Sequence, residues 1–159
     1  MAACAYATTW EQDADLLAGV VFGLFQKEQW NELASCATNA NLFANDVLEA
    51  FHLIALEDAK NVTAGIKELI TTFESLEDYL YSCEQTSDDF VALRAWSKIF
   101  SDIASLESTV KYNVTHHLPA ITIDIKKAKS DLSKGEYFKA GEVLGTMVAI
   151  VTEPLVVAL

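Results

Sequence analysis

The sequence predicts an all-α protein, a single-domain bundle of about five or six helices, on three observations. Only 2 prolines and 6 glycines interrupt its 159 residues, which favours long helices over many short strands. Apolar residues recur three and four positions apart through most of the chain, the spacing of one helical face. No stretch alternates apolar and polar residues long enough to indicate a strand.

Composition divides the chain into three parts and excludes some partners. Residues 1–8 are predicted to be an N-terminal arm or the remnant of a signal peptide, residues 9–153 the helical bundle, and residues 154–159 an apolar C-terminal tail. Hydrophobic residues make up 52 % of the chain, which excludes a disordered protein. A net charge of −12 disfavours nucleic acid and anionic membranes as partners.

The first three helices follow from apolar spacing. A capping box at Thr9 and Gln12 is predicted to open the first helix, whose apolar run Leu16–Phe25 is too short for the roughly 20 residues of a transmembrane segment. The second helix is marked by Phe43, Val47, Phe51 and Ile54. The third carries apolar residues from Val62 to Leu80 and ends near Cys83.

The remaining helices are predicted from the same period. Apolar residues from Phe90 to Val114 keep helical spacing without a break, and the pattern resumes at Ile121 after Pro119. This stretch is either one long helix kinked near Pro119 or two helices with a short joint. A second capping-box pattern, Ser133 with Glu136, is predicted to open the last helix, which runs from Tyr137 to about Thr152.

Two glycine pairs stand inside predicted helices, where each glycine costs about 1 kcal/mol relative to alanine. Gly19 and Gly23 lie in the first helix, and Gly141 and Gly145 lie in the last. A spacing of four puts each pair on one face, where another helix backbone can approach closely. We expect these faces to pack either on each other or against a second subunit.

The apolar tail is a second candidate for assembly. Its apolar residues follow a proline that stops the helix, and they are Leu155, Val156, Val157 and Leu159. An exposed apolar segment is a liability in a monomer. The tail is therefore expected to pack on its own bundle or to dock on a neighbouring molecule as an assembly strand or peg.

Several features favour a secreted or lumenal protein. Asn61 and Asn113 each begin an Asn-x-Thr sequon and are predicted glycosylation sites. Cys36 and Cys83 are predicted either to form a disulfide or to remain two buried free thiols. Ala5-Tyr6-Ala7 has the form of a signal cleavage site, but a positive region and a full apolar core are absent, so the signal peptide is incomplete or absent in this chain.

The sequence contains few motifs that indicate a catalytic or metal site. Glu49 and His52 form one Glu-x-x-His pair, whereas a di-iron bundle needs two pairs and two further glutamates. His116 and His117 are adjacent, and on a helix their side chains diverge by about 100°. Cys-x-x-Cys, Gly-x-Ser-x-Gly and glycine-rich phosphate motifs are absent. The sequence predicts a protein that is not an enzyme and has no cofactor, metal site or catalytic residue. The one enzymatic alternative left open is a catalytic pair of Cys36 or Cys83 with a histidine.

The last predicted helix carries a pattern that resembles a known family. The matching residues are Gly135, Glu136, Tyr137, Ala140, Gly141 and Gly145. Together with Gly19, Gly23, Cys36, Cys83, Trp96 and the run ITIDIKKAKSDL, they make the chain similar to small secreted all-helical proteins abundant in ciliate protists. That family has no settled activity, so the resemblance implies a helical fold and export rather than a reaction.

Two functions are expected from these patterns. The first is a non-enzymatic structural protein that self-associates through the glycine faces and the apolar tail into filaments or a matrix. The alternative is a soluble carrier that holds a lipid or another apolar small molecule among aromatic residues such as Trp30, Phe51, Phe73 and Trp96.

Overall fold

The computed structural model describes residues 9–25, 40–79 and 95–153. These residues form seven α-helices and one 3₁₀ turn, and no strand occurs among them. The helices are α1 (Trp10–Phe25), α2 (Ala40–Ile54), α3 (Ala59–Glu74), α4 (Leu76–Tyr79), α5 (Ile103–His116), α6 (Leu118–Ser133) and α7 (Tyr137–Thr152), and the 3₁₀ turn is Lys98–Ser101. The all-α prediction is confirmed, but the expected five or six helices are too few.

The additional helices arise where capping interrupts a continuous apolar pattern. Asp102 accepts a hydrogen bond from the Ser105 amide at 3.1 Å and caps α5, so the helix predicted without a break from Phe90 to Val114 is wrong. The third predicted segment is also divided, because Ser75 ends α3 before Leu76 begins α4. Leu76 follows the first break, Leu106 follows the second, and both are buried. The apolar spacing continues across the two breaks and therefore does not reveal them.

Pro119 starts a helix rather than kinking one. His117 separates α5 from α6, and Pro119 lies in the first turn of α6. A proline there loses no helical hydrogen bond, because the first amides of a helix have no partner within it. The expectation of two helices is therefore confirmed, and the single kinked helix is wrong.

The two predicted capping boxes have different outcomes. At the start of α1, the Thr9 amide donates to Gln12 Oε1 at 2.9 Å and the Gln12 amide donates to Thr9 Oγ1 at 3.2 Å. Ser133, in contrast, is the last residue of α6, and Glu136 makes no side-chain cap on α7. Gly135, at φ 74°, forms a Schellman turn there, so the predicted capping box at Ser133 is wrong.

The core is one continuous cluster of apolar side chains. Phe43, Phe51 and Phe73 from α2 and α3 are completely buried, and Trp96 is nearly so. Among the described elements, α1 and α7 make the most extensive contact, although they lie at opposite ends of the described chain. The first and last helices therefore close the bundle.

Candidate functional site

The contact between α1 and α7 is made backbone to backbone at the four helical glycines. A methyl group on Gly19 would overlap the carbonyl oxygen of Phe138, and one on Gly23 would overlap that of Glu142. The relation is reciprocal, since methyl groups on Gly141 and Gly145 would overlap the carbonyl oxygens of residues 16 and 20. Each glycine pair is therefore the surface on which the other helix lies.

This contact occupies the faces that the sequence offered for assembly. All four glycines are buried, and Phe22 and Phe138 pack beside them with ring centroids 5.7 Å apart. The partner of each glycine face is thus the other face of the same chain. A second subunit would have to separate α1 from α7 to reach either one.

A buried amide fastens the end of α7 to α5. Asn113 is 5 % exposed, and its Nδ2 donates to the carbonyl oxygen of Val151 at 2.9 Å and also to that of Glu153. The last carbonyls of a helix have no partner inside the helix. Asn113 supplies one, so the side chain predicted to carry a glycan acts in the fold as a cap for α7.

An apolar cleft lies between α3 and α5. It has a volume of about 100 Å³ and is lined by the apolar residues Ile70, Phe100, Ile103, Leu106 and Val110. The polar residues of the lining are Lys67, Thr71, Glu74 and Glu107. Ile103 is 51 % exposed, although most isoleucines in the described residues are buried. The cleft therefore presents apolar surface to solvent and is the best candidate site for a protein contact.

A charged cleft lies at the joint of α6 and α7. It has a volume of about 400 Å³, and its lining includes Lys127, Asp131, Lys134 and Lys139. Asp131 is buried, and its Oδ2 has no hydrogen-bond partner. Burial raises the pKa of Asp131, and the neighbouring Glu136 raises it further, against an opposing effect of the three lysines. The cleft thus holds a carboxyl group that resists ionisation.

Phe73 and Trp96, two of the four aromatic residues that suggested a carrier, belong to one aromatic cluster with Phe43 and Phe100. The ring centroids of Phe43 and Phe73 lie 5.9 Å apart, and those of Phe73 and Trp96 lie 6.4 Å apart. Phe100 continues the cluster, at 5.3 Å from Trp96. Phe43, Phe73 and Trp96 are buried in the core, whereas Phe100 is partly buried and also lines the apolar cleft.

The histidines considered for catalysis lie on the surface. His52 and Glu49 are both exposed on α2. His116 is exposed, with its Nδ1 2.8 Å from the Tyr112 carbonyl oxygen and its ring stacked on that of Tyr112 at 3.8 Å. Within residues 9–25, 40–79 and 95–153, no group of three or more potential His, Cys, Asp or Glu ligands comes together.

Some predicted residues lie outside the described parts of the chain. They are the arm 1–8, Cys36 and Cys83 of the predicted disulfide, Trp30, and Leu155, Val156, Val157 and Leu159 of the apolar tail. Among the helices that are described, none has the length and apolar character needed to cross a membrane. Asn61, the other predicted glycosylation site, is half-buried in the first turn of α3.

Sequence reasoning missed two features of the structure, a helix contact at Gly65 and the cleft at Ile103. Gly65 of α3 allows close packing on α2, because a methyl group there would meet Ile54 Cγ1 at 2.5 Å and the Ala50 carbonyl oxygen at 2.8 Å. The cleft at Ile103 was also missed, because Ile103 belongs to an apolar pattern that predicts a buried residue. Its position directly after a strong N-cap residue, Asp102, was the available signal.

Comparison with known proteins places the chain in a family. The family described as Secreted protein B-like matches residues 5–153. Comparisons with curated proteins and with solved structures gave no match. The family description agrees with the secreted protein expected from the sequence. It says nothing about the resemblance to proteins of ciliate protists. The chain belongs to the Secreted protein B-like family.

Proposed function

We propose that this member of the Secreted protein B-like family is a secreted, non-enzymatic helical protein that associates with copies of itself. In the proposed contact, the apolar segment Leu155–Leu159 of one chain docks in the α3–α5 cleft of another. The observation that carries this proposal is the exposed apolar surface of the cleft around Ile103. The glycine faces are left out of the contact because α1 and α7 already use them.

The exit of the chain from α7 supports this contact. The Asn113 amide donates to the Glu153 carbonyl, so the last described residue of the chain lies beside α5. Asn113, Val110, Leu106 and Ile103 follow one another at helical spacing, which puts them on the same face of α5. A contact that a segment can make with its own bundle can be exchanged between two copies at low cost.

One segment and one cleft per chain give a heterologous contact. Such contacts close into a ring when the rotation between copies allows it, and otherwise extend into a filament. This is the physical basis for proposing filaments or a matrix as the assembled form. The proposed assembly acts outside the cell or in a lumen, the two places that the sequence indicates.

A non-enzymatic role is supported by the placement of reactive side chains. His52, His116 and His117 are exposed and lie on different helices or joints. Burial or a charged partner is what usually prepares such groups for catalysis. Among the described residues the histidines have neither, so we assign these three histidines no catalytic role.

The carrier function has less support. Ligand pockets for small molecules usually have volumes of about 300–1,000 Å³, whereas the apolar cleft has about 100 Å³. The larger α6–α7 cleft is lined mainly by charged residues. Native mass spectrometry of the secreted protein separates the two functions, because a carrier retains an apolar small molecule and an assembly protein shows multiples of its own mass.

The self-association is tested by light scattering coupled to size-exclusion chromatography over a range of protein concentrations. We expect particles heavier than the 17.4 kDa chain, and we expect deletion of Leu155–Leu159 to weaken association by more than about tenfold. The substitution Ile103→Asp should do the same, because it places a charge on the cleft. Asp is well tolerated at the first position of a helix, so α5 should still form.

Ile123→Asp is the matched control. Ile123 is 67 % exposed on α6, away from the cleft lining, so this variant should associate like the unmodified chain. A monomer at all concentrations would contradict the proposal. So would particles whose mass is unchanged by both the deletion and Ile103→Asp.

A further inference from the structure

The two glycosylation sequons of this chain stand in different surroundings. In N-linked glycosylation the asparagine Nδ2 forms a bond to C1 of a sugar, the bond from C1 to a lipid diphosphate breaks, and one amide proton is released with the diphosphate leaving group. The reaction involves no oxidation or reduction. The Nδ2 atoms of Asn61 and Asn113 therefore decide which site the folded chain accommodates.

At Asn113 the Nδ2 atom is already used by the fold. It donates to the carbonyl oxygens of Val151 and Glu153, and the residue is 5 % exposed. A glycosylated amide keeps a single proton, so it cannot make both hydrogen bonds. The attached sugar would also need space between α5 and the end of α7. A chain modified at Asn113 therefore cannot close this contact.

At Asn61 the Nδ2 atom makes one hydrogen bond at the surface. It donates to Asp58 Oδ2 at 2.6 Å, where Asp58 is exposed. The cap of α3 is a separate hydrogen bond, from the Asn61 backbone amide to Asp58 Oδ1 at 3.0 Å. A glycan on Nδ2 leaves that cap intact, and hydrogen bonds lost at an exposed surface are replaced by water.

We propose that the folded, exported protein carries one N-linked oligosaccharide, at Asn61, and an unmodified amide at Asn113. This inference rests on the secreted character in the proposed function. It turns two equivalent sequons into one modification site and one structural cap. It also predicts that chains modified at Asn113 do not reach the folded, exported pool.

The test uses threonine substitutions that remove each sequon and leave both asparagines in place. The full chain is expressed with a host leader in eukaryotic cells, and the exported protein is weighed before and after peptide N-glycosidase treatment. We expect one glycan on the unmodified chain, its loss in Thr63→Ala, and its retention in Thr115→Ala. The Thr63 and Thr115 hydroxyls each donate to a carbonyl one turn earlier, so the two variants are structurally matched.

Two results would overturn the inference. One is a glycan that survives Thr63→Ala and disappears in Thr115→Ala, and the other is an exported, folded chain with both sites occupied or with neither. A second measurement tests the cap directly: Asn113→Gln should lower the melting temperature by at least about 4 °C, whereas Asn61→Gln should change it much less. Equal melting temperatures would contradict the assigned role of Asn113.

The experiment separates this inference from the self-association. The host leader brings the chain into the lumen whatever its own route of export. A monomer that carries one glycan at Asn61 would remove the proposed assembly and retain this inference. An assembled protein with a glycan at Asn113 would retain the proposed assembly and remove this inference.

Discussion

Glycine has two separate physical uses among the residues of this chain. At Gly23 the absence of a side chain allows the α7 backbone to approach, since any methyl group would overlap the Glu142 carbonyl oxygen. At Gly135 space is available, with no neighbour within 4 Å, but φ is 74°. Glycine adopts that left-handed conformation at low cost, and other residues are strained there. The first use concerns packing, and the second concerns the backbone alone.

Gly23→Ala is expected to lower the free energy of unfolding by about 2 kcal/mol. Alanine gains about 1 kcal/mol in helix propensity, but the buried methyl group forces α1 and α7 apart, and overpacking costs about 1–3 kcal/mol or more. Urea unfolding followed by circular dichroism measures the difference. Ser108→Ala, at an exposed position of α5, should be neutral or slightly stabilising. A Gly23→Ala variant as stable as this control would contradict the glycine contact.

The spacing of residues could predict the glycine faces but not their partner. Four-residue spacing is a local property of a helix, so Gly19 with Gly23 and Gly141 with Gly145 were recognisable as flat faces. Which surface lies on each face depends on how α1 and α7 meet across more than a hundred intervening residues. The buried amide of Asn113 was hidden for the same reason, because its acceptors at residues 151 and 153 are distant in sequence.

Among whole elements, helix existence was predictable and some helix ends were not. The bounds of α7, Tyr137–Thr152, agree with the prediction. The apolar pattern runs through the helix without interruption, and Pro154 in the sequence marks where it stops. The C-terminal end of α3 and the start of α5 lie inside continuous apolar patterns. They are set by local hydrogen bonds at Ser75 and Asp102 that compete with helix continuation. Apolar period alone carries no information about that competition.

The α6–α7 joint is expected to show an unusual dependence of stability on pH. Burial and Glu136 raise the pKa of Asp131 above its ordinary value of 3.8 in the folded chain. The folded state therefore binds the proton more tightly than the unfolded state, so this group favours folding more as pH falls towards its ordinary pKa. Above the raised pKa the charged carboxylate destabilises the joint. Lys127, Lys134 and Lys139 oppose the shift but do not reverse it.

Asp131→Asn should therefore raise the melting temperature at pH 7, and the gain should disappear near pH 4. Asp102→Asn is the control of opposite sign. Hydrogen bonds from Ser105 lower the pKa of Asp102, so its charge stabilises the fold above its ordinary pKa and the contribution is lost as pH falls through the lowered value. Melting curves of both variants from about pH 2 to about pH 8 measure these trends, because the Asp102 contribution is lost only below its ordinary pKa of 3.8. A loss of stability in Asp131→Asn at pH 7 would show that its carboxylate is satisfied.

At the scale of the whole molecule, closure of the bundle depends on its first and last helices. The α1–α7 contact joins residues 16–23 to residues 138–145, so it forms only when nearly the whole described chain is present. Closing a contact of such long separation costs loop entropy, and non-local contacts of this kind slow folding. The family match over residues 5–153 spans both helices, which fits a fold that needs both.

The net charge of −12 sets how association should respond to salt. Chains of like charge repel, and raising the salt concentration from about 0.01 M to about 0.15 M shortens the screening length from about 30 Å to about 8 Å. If apolar residues of segment 155–159 and the cleft make the contact, removing repulsion should strengthen association by several fold. Light scattering in low and moderate salt measures this, with the chain lacking Leu155–Leu159 as a control that should associate far less in both. Weaker association at higher salt would show that ion pairs hold the copies together, and would replace the apolar cleft with a charged surface as the site of assembly.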